Sequence, residues 1–376
     1  MGLGFRSFIK ALFVAINLRG LTSRRFGFYF VFFPIFSFLF FLVFSGQVID
    51  NLFFQGYRCQ EVHSPIFIIS TPRSGTTLLH RALSLDEHQF TYFQTYQTLL
   101  PSVFLYKAVG LITSLNRHLG KQISRLENSL NSWLFTRWSG IHPTGLSEAE
   151  EDEGLFIYTF HTPAVYLLFP VVNQIPSFRF SDDLPARLRQ RLMAYYKGCL
   201  QRFLYTFGQG RTLLSKNVLS VGRLQSLMEA FPDARVIYIV RHPYQAIPSL
   251  LSLFYAVWRG HSPEIPKCSP ETKALAQMGM DYYRYLMQVV CNFPDSQCLY
   301  VRYEDLVADL PQVVERIYSH FGLKLDREFQ SCLQELYAQQ KNYESSHQYS
   351  LEEYGLRREV IFSKLADVFE KFGFTR

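Results

Sequence analysis

Arg73, Ser74, Gly75, Thr76 and Thr77 place a planar cation, a glycine and three hydroxyls directly after the apolar run Pro65–Ser70. Residues of these types, packed this closely, suit the binding of an anion. The nucleotide-triphosphate loop G-x-x-x-x-G-K-[ST] ends in a lysine that reaches the terminal phosphates. Here Thr76 and Thr77 follow the glycine, and the cation, Arg73, precedes it. A strand ending at Ser70 and a helix starting near Gly75 would aim backbone N–H groups at one point, and the helix dipole would add positive potential there. Standing alone, the same residues also suit an ordinary strand–helix turn with a solvent-facing arginine.

A second cationic pattern lies in "VRHPYQAIPS", Val240–Ser249. Arg241 follows an apolar, β-branched run, and Ser249 comes about two helical turns later. Lys216 closes another apolar run, "TLLSK". The acid-rich stretch "EAEEDE" contributes Glu148, Glu150, Glu151, Asp152 and Glu153, with His142 and His161 on either side. Clustered carboxylates raise one another's pKa, which suits a general base near neutral pH. A charge run is more often a solvated helix face. His80, behind the first loop, reads as a packing residue.

These residues need a frame. Pro65–Ser70, Thr212–Lys216, Arg235–Val240 and Gln297–Tyr303 read as buried strands. Helical patterns follow from Thr76, over Arg223–Phe231, over Tyr244–Val257 with Pro248 starting or kinking it, and over Leu310–Phe321. Repeated strand–turn–helix units predict a parallel sheet covered by helices on both faces. In such sheets ligands sit outside the carboxyl ends of the strands. Two inserts interrupt the alternation: Thr91–Gln174, helical and aromatic, and the amphipathic helix Leu184–Phe207.

Residues and spacing together resemble the sulfotransferases that use 3′-phosphoadenosine 5′-phosphosulfate (PAPS). Pro72–Thr77 resembles the family's P-[KR]-S-G-T-[TS] loop in its arginine form, and Arg241 with Ser249 resembles its 3′-phosphate pair. "YEDL", Tyr303–Leu306, resembles a third segment whose tyrosine lies near the adenine. The resemblance runs from about Pro65 to Leu323 and looks closest to the membrane-associated and bacterial branch. It implies an α/β fold: a parallel β-sheet flanked by helices, P-loop NTPase-like, to which this chain's own pattern adds a helical insert and an N-terminal membrane helix. By the same resemblance, Arg73, Ser74, Gly75, Thr76 and Thr77 hold the phosphosulfate, and Arg241, Ser249 and Tyr303 hold the rest of the nucleotide. PAPS is the implied co-substrate, and no metal is expected.

The implied reaction is attack of an acceptor hydroxyl or amine on sulfur, with Arg73 stabilising charge on the leaving oxygen. Lys216 resembles a family lysine near the same centre, though a strand-end surface lysine fits its position equally well. The chain departs from the family at the base. Cytosolic members carry a histidine two residues after that lysine, and many bacterial members four after it. Here those positions are Val218 and Ser220. Because "EEDE" resembles an acidic segment of the branch, Glu151 is the favoured base, with Glu150 and Asp152 behind it. The C-terminal "RKGxxG" loop of cytosolic members is absent. Two rival readings stand beside this one. A P-loop kinase or switch lacks its G-K-[ST] and a strand-end aspartate, since Asp233, Asp281 and Asp305 are not so placed. A catalytically inactive membrane adaptor would keep the fold without the base.

The 376-residue chain is long enough for a sizeable core. Its net charge of +7 belongs mostly to residues 1–58, where six cations (Arg6, Lys10, Arg19, Arg24, Arg25, Arg58) face one acid, Asp50. The near-neutral body argues against a nucleic-acid surface. Six scattered cysteines match no zinc spacing. Phe26–Phe44 is 19 uncharged residues with ten phenylalanines, about 28 Å as a helix and close to a bilayer core. Residues 5–25 interleave cations and apolar side chains, as a helix in the headgroup layer would. Residues 1–58 therefore read as a membrane anchor and 59–376 as the catalytic domain. The positive-inside rule puts the N-terminus in the cytoplasm. Pro34 would allow a kinked anchor that dips in and returns, leaving the body on the cytoplasmic face; a single span would place it in a Golgi lumen. The absence of Asn-x-Ser/Thr sequons favours the former. Aromatic residues of the insert (Tyr92, Phe93, Tyr96, Phe104, Tyr106, Trp133, Phe135, Trp138) suit a carbohydrate, glycolipid or other amphiphilic acceptor, or simply a core.

Overall fold

The computed structural model describes residues 2–71, 73–118, 149–340 and 350–376. Pro72, Trp133, Phe135, Trp138, His142 and Glu148 fall outside them. At the centre stand five strands: β1 (Ile66–Ser70), β2 (Phe90–Thr91), β3 (Thr212–Lys216), β4 (Arg235–Val240) and β5 (Cys298–Arg302). Their order is β2-β3-β1-β4-β5 and every pair is parallel. The four strands expected from sequence are all present. β2 has only two residues, too few to show an alternation.

The sheet is buried on both faces because its strands are apolar at nearly every position. In β1, Phe67 and Ile69 join one core with Val236 and Tyr238 of β4. Ile66 and Ile68 join the other with Ile237 and Ile239. The first core is closed by helices Ala186–Phe207, Leu224–Ala230, Pro243–His261 and Pro270–Val290. The second is closed by helices Thr76–Ser84 and Leu310–Phe321. Register brings the carboxyl ends together: Ile68 faces Lys216, Ser70 faces Ile239, and Val240 faces Arg302. Ser70, Lys216, Arg241 and Tyr303 thus leave the sheet along one edge.

Local chemistry sets where the helices begin. Pro243 occupies the first turn of helix Pro243–His261, where its missing N–H costs nothing, and His242 Nδ1 accepts from Tyr244 N at 3.2 Å. Pro248 lies inside this helix rather than starting it. Helix Pro270–Val290, which the sequence reading does not single out, opens on a capping box between Ser269 and Thr272.

The N-terminal segment, up to Arg58, folds against the body. Helix α1 (Phe5–Arg19) buries Phe8, Ala11 and Ala15 in the main core, with the Phe8 ring 4.7 Å from Phe160. Helix α2 (Ser23–Phe53) continues through Pro34 as one element, so the apolar run makes no return of its own. It is long and apolar enough to cross a membrane, and only 11% of its most apolar window is buried. Two polar contacts fix its ends. Near the start, Arg25 pairs with Glu264 and donates to Ser262 Oγ at 2.9 Å. Near the finish, Asp50, fully buried, pairs with Arg202 at 2.9 Å. Asp50 also accepts from Val103 N and Phe104 N, capping helix Val103–His118.

Candidate active site

The loop after β1 is built to turn donors inward. Ser70 Oγ donates to Ile239 O at 2.6 Å, fastening the strand end to β4. Thr71 Oγ1 and Ser74 Oγ lie 3.1 Å apart. Arg73 and Gly75 both take left-handed backbone conformations, with φ of +69° and +82°. Left-handed residues in such a turn point successive N–H groups into one concavity. The next helix, α3 (Thr76–Ser84), has no side-chain cap among the described residues, which leaves its first-turn N–H groups facing the same concavity. Gly75 is required here twice over. A Cβ would suffer its positive φ and would stand 2.9 Å from the Tyr303 ring. Thr76, nearly buried, and Thr77 open the helix.

Beside this loop the second cationic pattern closes onto it. Arg241 Nη1 donates to Arg73 O at 2.6 Å, and the Arg241 guanidinium lies over the Tyr303 ring at 4.2 Å. Arg73 Nε reaches Ser249 Oγ at 3.4 Å. Arg73, Gly75, Arg241, Ser249 and Tyr303, widely separated in sequence, thus form one cluster. Two further residues position it. Gln245 Oε1 accepts from both Nε and Nη2 of Arg241 at 3.1 Å, and Tyr283 Oη donates to Arg241 O at 2.6 Å. The i, i+4 spacing of Arg241 and Gln245 is a signal a sequence can carry; the Tyr283 contact leaves none.

Lys216 is the hinge to the third set of residues. It ends β3 fully buried, so the alternative of a surface lysine falls. Its Nζ lies 3.3 Å from Thr77 Oγ1, 3.4 Å from Glu151 Oε1 and 4.0 Å from Glu150 Oε1. One ammonium therefore touches both the anion loop and the acid segment. That segment is held in place by an antiparallel bridge between Ala149 and Gln94 and by Glu150 N donating to Phe93 O. Burial pushes the Glu151 carboxyl up to about 7. Lys216 pulls it down, and Glu150 and Glu153 add to the rise.

The acid run is not a solvated face. Asp152 is buried, and its oxygens accept from Tyr196 Oη, Ser215 Oγ at 2.7 Å and Asn217 Nδ2 at 2.7 Å. Burial raises its pKa while these donors lower it. With both oxygens engaged, it fastens the segment to β3 and does not stand ready as a base. Glu153 is paired with Arg223 at 3.1 Å and accepts from Thr162. Among the described acids of the run, Glu151 is thus the one whose side chain reaches Lys216 most closely. His161 lies elsewhere, lining a small cavity with Leu3, Gly4, Ser7, Leu188 and Leu192. Burial and Arg223 hold it down at about 4. His80 is buried behind the loop, and burial and Lys216 keep it well below the usual histidine range. In the insert, Phe93 and Tyr106 are core residues packed on Phe203 and Phe207, while Phe104 is exposed.

A loop of this form suits a tetrahedral anion, and the second cation–hydroxyl pair beside it offers charge and a hydroxyl of the same kind. The model of the sulfotransferase family matches residues 65–327, and the chain belongs to that family. It is an enzyme whose class takes its sulfuryl group from PAPS; the kinase and inactive-adaptor readings fall away. Among its relatives are the omega-hydroxy-beta-dihydromenaquinone-9 sulfotransferases Stf3 of Mycobacterium bovis and Mycobacterium tuberculosis. Each is 28% identical over 319 residues, spanning 83% of this chain and 76% of the relative. Sulfotransferase STF9 from Mycobacterium avium shares the fold with a TM-score of 0.71 at 19% identity, over 89% of this chain and 82% of that one. Sulfotransferase STF1 from Mycobacterium tuberculosis H37Rv does so at 0.67 and 21%, over 97% and 92%. The expected parallel-sheet sulfotransferase fold is met.

Proposed function

We propose that this sulfotransferase moves the sulfuryl group of PAPS to a hydroxyl of a membrane lipid. The observation that carries the reading is Lys216, whose ammonium sits between Thr77 of the anion loop and the Glu151 carboxylate. The loop fits a phosphosulfate: its left-handed turn, the helix start that follows it and the space that only glycine leaves at position 75 make a cradle. Arg73, Ser74, Gly75, Thr76 and Thr77 would hold the phosphosulfate. Arg241 and Ser249 would hold the 3′-phosphate, with Tyr303 against the base. When bound, the donor supplies an electrophilic sulfuryl group on a bisphosphate leaving group.

The chain's own residues do the rest. Glu151, ionised above about pH 7, takes the proton of the attacking hydroxyl. Lys216 and Arg73 offset the negative charge that builds nearby during transfer. Asp152 keeps the segment bearing Glu151 locked to β3 through Ser215 and Asn217. Nothing in this division of labour calls for a metal ion.

The lipid class of acceptor rests on two supports. The Stf3 relatives act on a hydroxylated menaquinone, and the segment that carries Glu151 runs directly into Ile157 and Tyr158, which pack on the apolar helix α2. The protein would be membrane-attached through residues 1–58, with the body on the cytoplasmic face. Its free cysteines suit a reducing compartment.

The test is transfer of label from [35S]PAPS to a detergent-dispersed isoprenoid alcohol and, in parallel, to a water-soluble phenol. Faster transfer to the lipid alcohol supports the reading. Transfer to the phenol alone would overturn the lipid acceptor.

A further inference from the structure

Helix α2 looks like a membrane span by length and composition, yet its surroundings do not let it behave as one. Its residues divide into two stripes at helical spacing. Tyr29, Val43, Gly46, Gln47 and Asp50 are buried against the body. Phe30, Phe38, Phe41 and Phe44 point outward and are at least half exposed. The inward stripe is packed along its length: Phe28 stacks on His261, Tyr29 meets Phe169, Phe36 meets Tyr158, and Phe40 meets Phe160. Both ends are clamped to the body, by Arg25 with Glu264 and by Asp50 with Arg202. The clamps are about 38 Å apart along the helix, more than the roughly 30 Å of a bilayer core. If α2 crossed the membrane, the body packed on it would have to cross as well, carrying an ion pair at each end.

Exposed apolar side chains are not confined to α2. Leu111, Ile112 and Leu115 of helix Val103–His118, which packs against α2, and Phe13 of α1 are exposed as well. Exposed Arg6, Lys10 and Arg24 belong to the same N-terminal helices, and no acid occurs before Asp50. Cations flanking an apolar face match the anionic headgroups and acyl layer of one leaflet.

We infer that α2 lies in the plane of the membrane as the docking face of a monotopic enzyme, its outward stripe sunk into one leaflet rich in anionic lipid. This rests on the membrane attachment proposed above and fixes its geometry. It also places the segment bearing Glu151, one short helix away from α2, on the side from which a lipid acceptor arrives.

The test uses the full chain in sealed membrane vesicles of known sidedness from an expressing bacterium. The exposed native thiols Cys59, Cys268, Cys291 and Cys332 are replaced by serine. Single cysteines are then placed at the two ends of α2, Arg24→Cys and Gln55→Cys, with Ser23→Cys in reserve should the first fail to fold. A membrane-impermeant maleimide is expected to label both ends from the same side. In a companion measurement, Phe38→Asp/Phe41→Asp is expected to weaken binding to phosphatidylglycerol vesicles by at least about tenfold while leaving transfer to a soluble acceptor intact. Labelling of the two ends from opposite sides would show a span and overturn the in-plane geometry, with membrane attachment left standing. Failure of the unaltered chain to associate with membranes or vesicles at all would remove the attachment itself and the inference with it.

Discussion

Glu151 Oε1 and Lys216 Nζ stand 3.4 Å apart at the carboxyl edge of the sheet, with the lysine fully buried. The pair joins an acid segment and an anion loop that are far apart in sequence. Burial holds the carboxyl at about 7 even beside a cation. Below that pH Glu151 is protonated and cannot accept a proton; above it the base is available. We expect kcat/KM to rise with pH through about 7 and then level. Glu151→Gln is expected to slow kcat by ~10²–10⁴ and to remove this limb. A variant that keeps both the rate and the limb would take Glu151 out of the mechanism.

Lys216 acts on the same limb from the other side. Its charge lowers the Glu151 pKa, so Lys216→Ala is expected to move the limb to higher pH. It should also cost ~10²–10³ in kcat, the scale of one lost electrostatic donor. The pH–rate profile reads both effects at once. An unshifted limb would show that the ammonium does not act on the carboxylate.

Gly75→Ala tests the cradle. The substitution forces a Cβ into a backbone at φ +82° and against the Tyr303 ring at 2.9 Å. Left-handed strain alone costs about 1–2 kcal/mol. We expect a lower melting temperature and loss of nucleotide affinity together. Full affinity with a lowered melting temperature would mean the loop tolerates the shift and that the glycine serves folding only.

Asp50→Ala tests how firmly the N-terminal segment belongs to the body. It leaves Arg202 buried without its carboxylate and uncaps helix Val103–His118. Breaking a buried pair in this way costs about 3–5 kcal/mol. Urea unfolding of the detergent-solubilised protein should show a loss of that order. A loss below about 1 kcal/mol would mean that α2 is only loosely held.

The strand–loop–helix units are legible in the sequence because each is local: a buried apolar run, a glycine-bearing turn and a helical pattern follow one another directly. The Arg241–Ser249 spacing is legible for the same reason. What sequence does not supply is depth. Lys216 reads equally as a surface lysine until β3 is seen inside the sheet with Thr77 and Glu151 on either side. Asp152 reads as one more acid in a charge run until Tyr196, Ser215 and Asn217 are seen to engage its oxygens. His161 is a reasonable base by residue type and is removed only by its position beside α1. The apolar run is visible from composition, but its two clamps depend on Glu264 and Arg202, which lie far downstream of their partners in sequence.

A site for two phosphate-like groups lies at the centre of the proposed mechanism, and calorimetric titration without added metal probes it. Adenosine 3′,5′-bisphosphate is expected to bind more tightly than ADP. Arg241→Ala or Ser249→Ala should weaken the bisphosphate by about ten- to a hundredfold, the value of one charge-assisted contact, and leave ADP nearly unchanged. Equal affinity for the two nucleotides, or a bisphosphate affinity indifferent to Arg241 and Ser249, would contradict it.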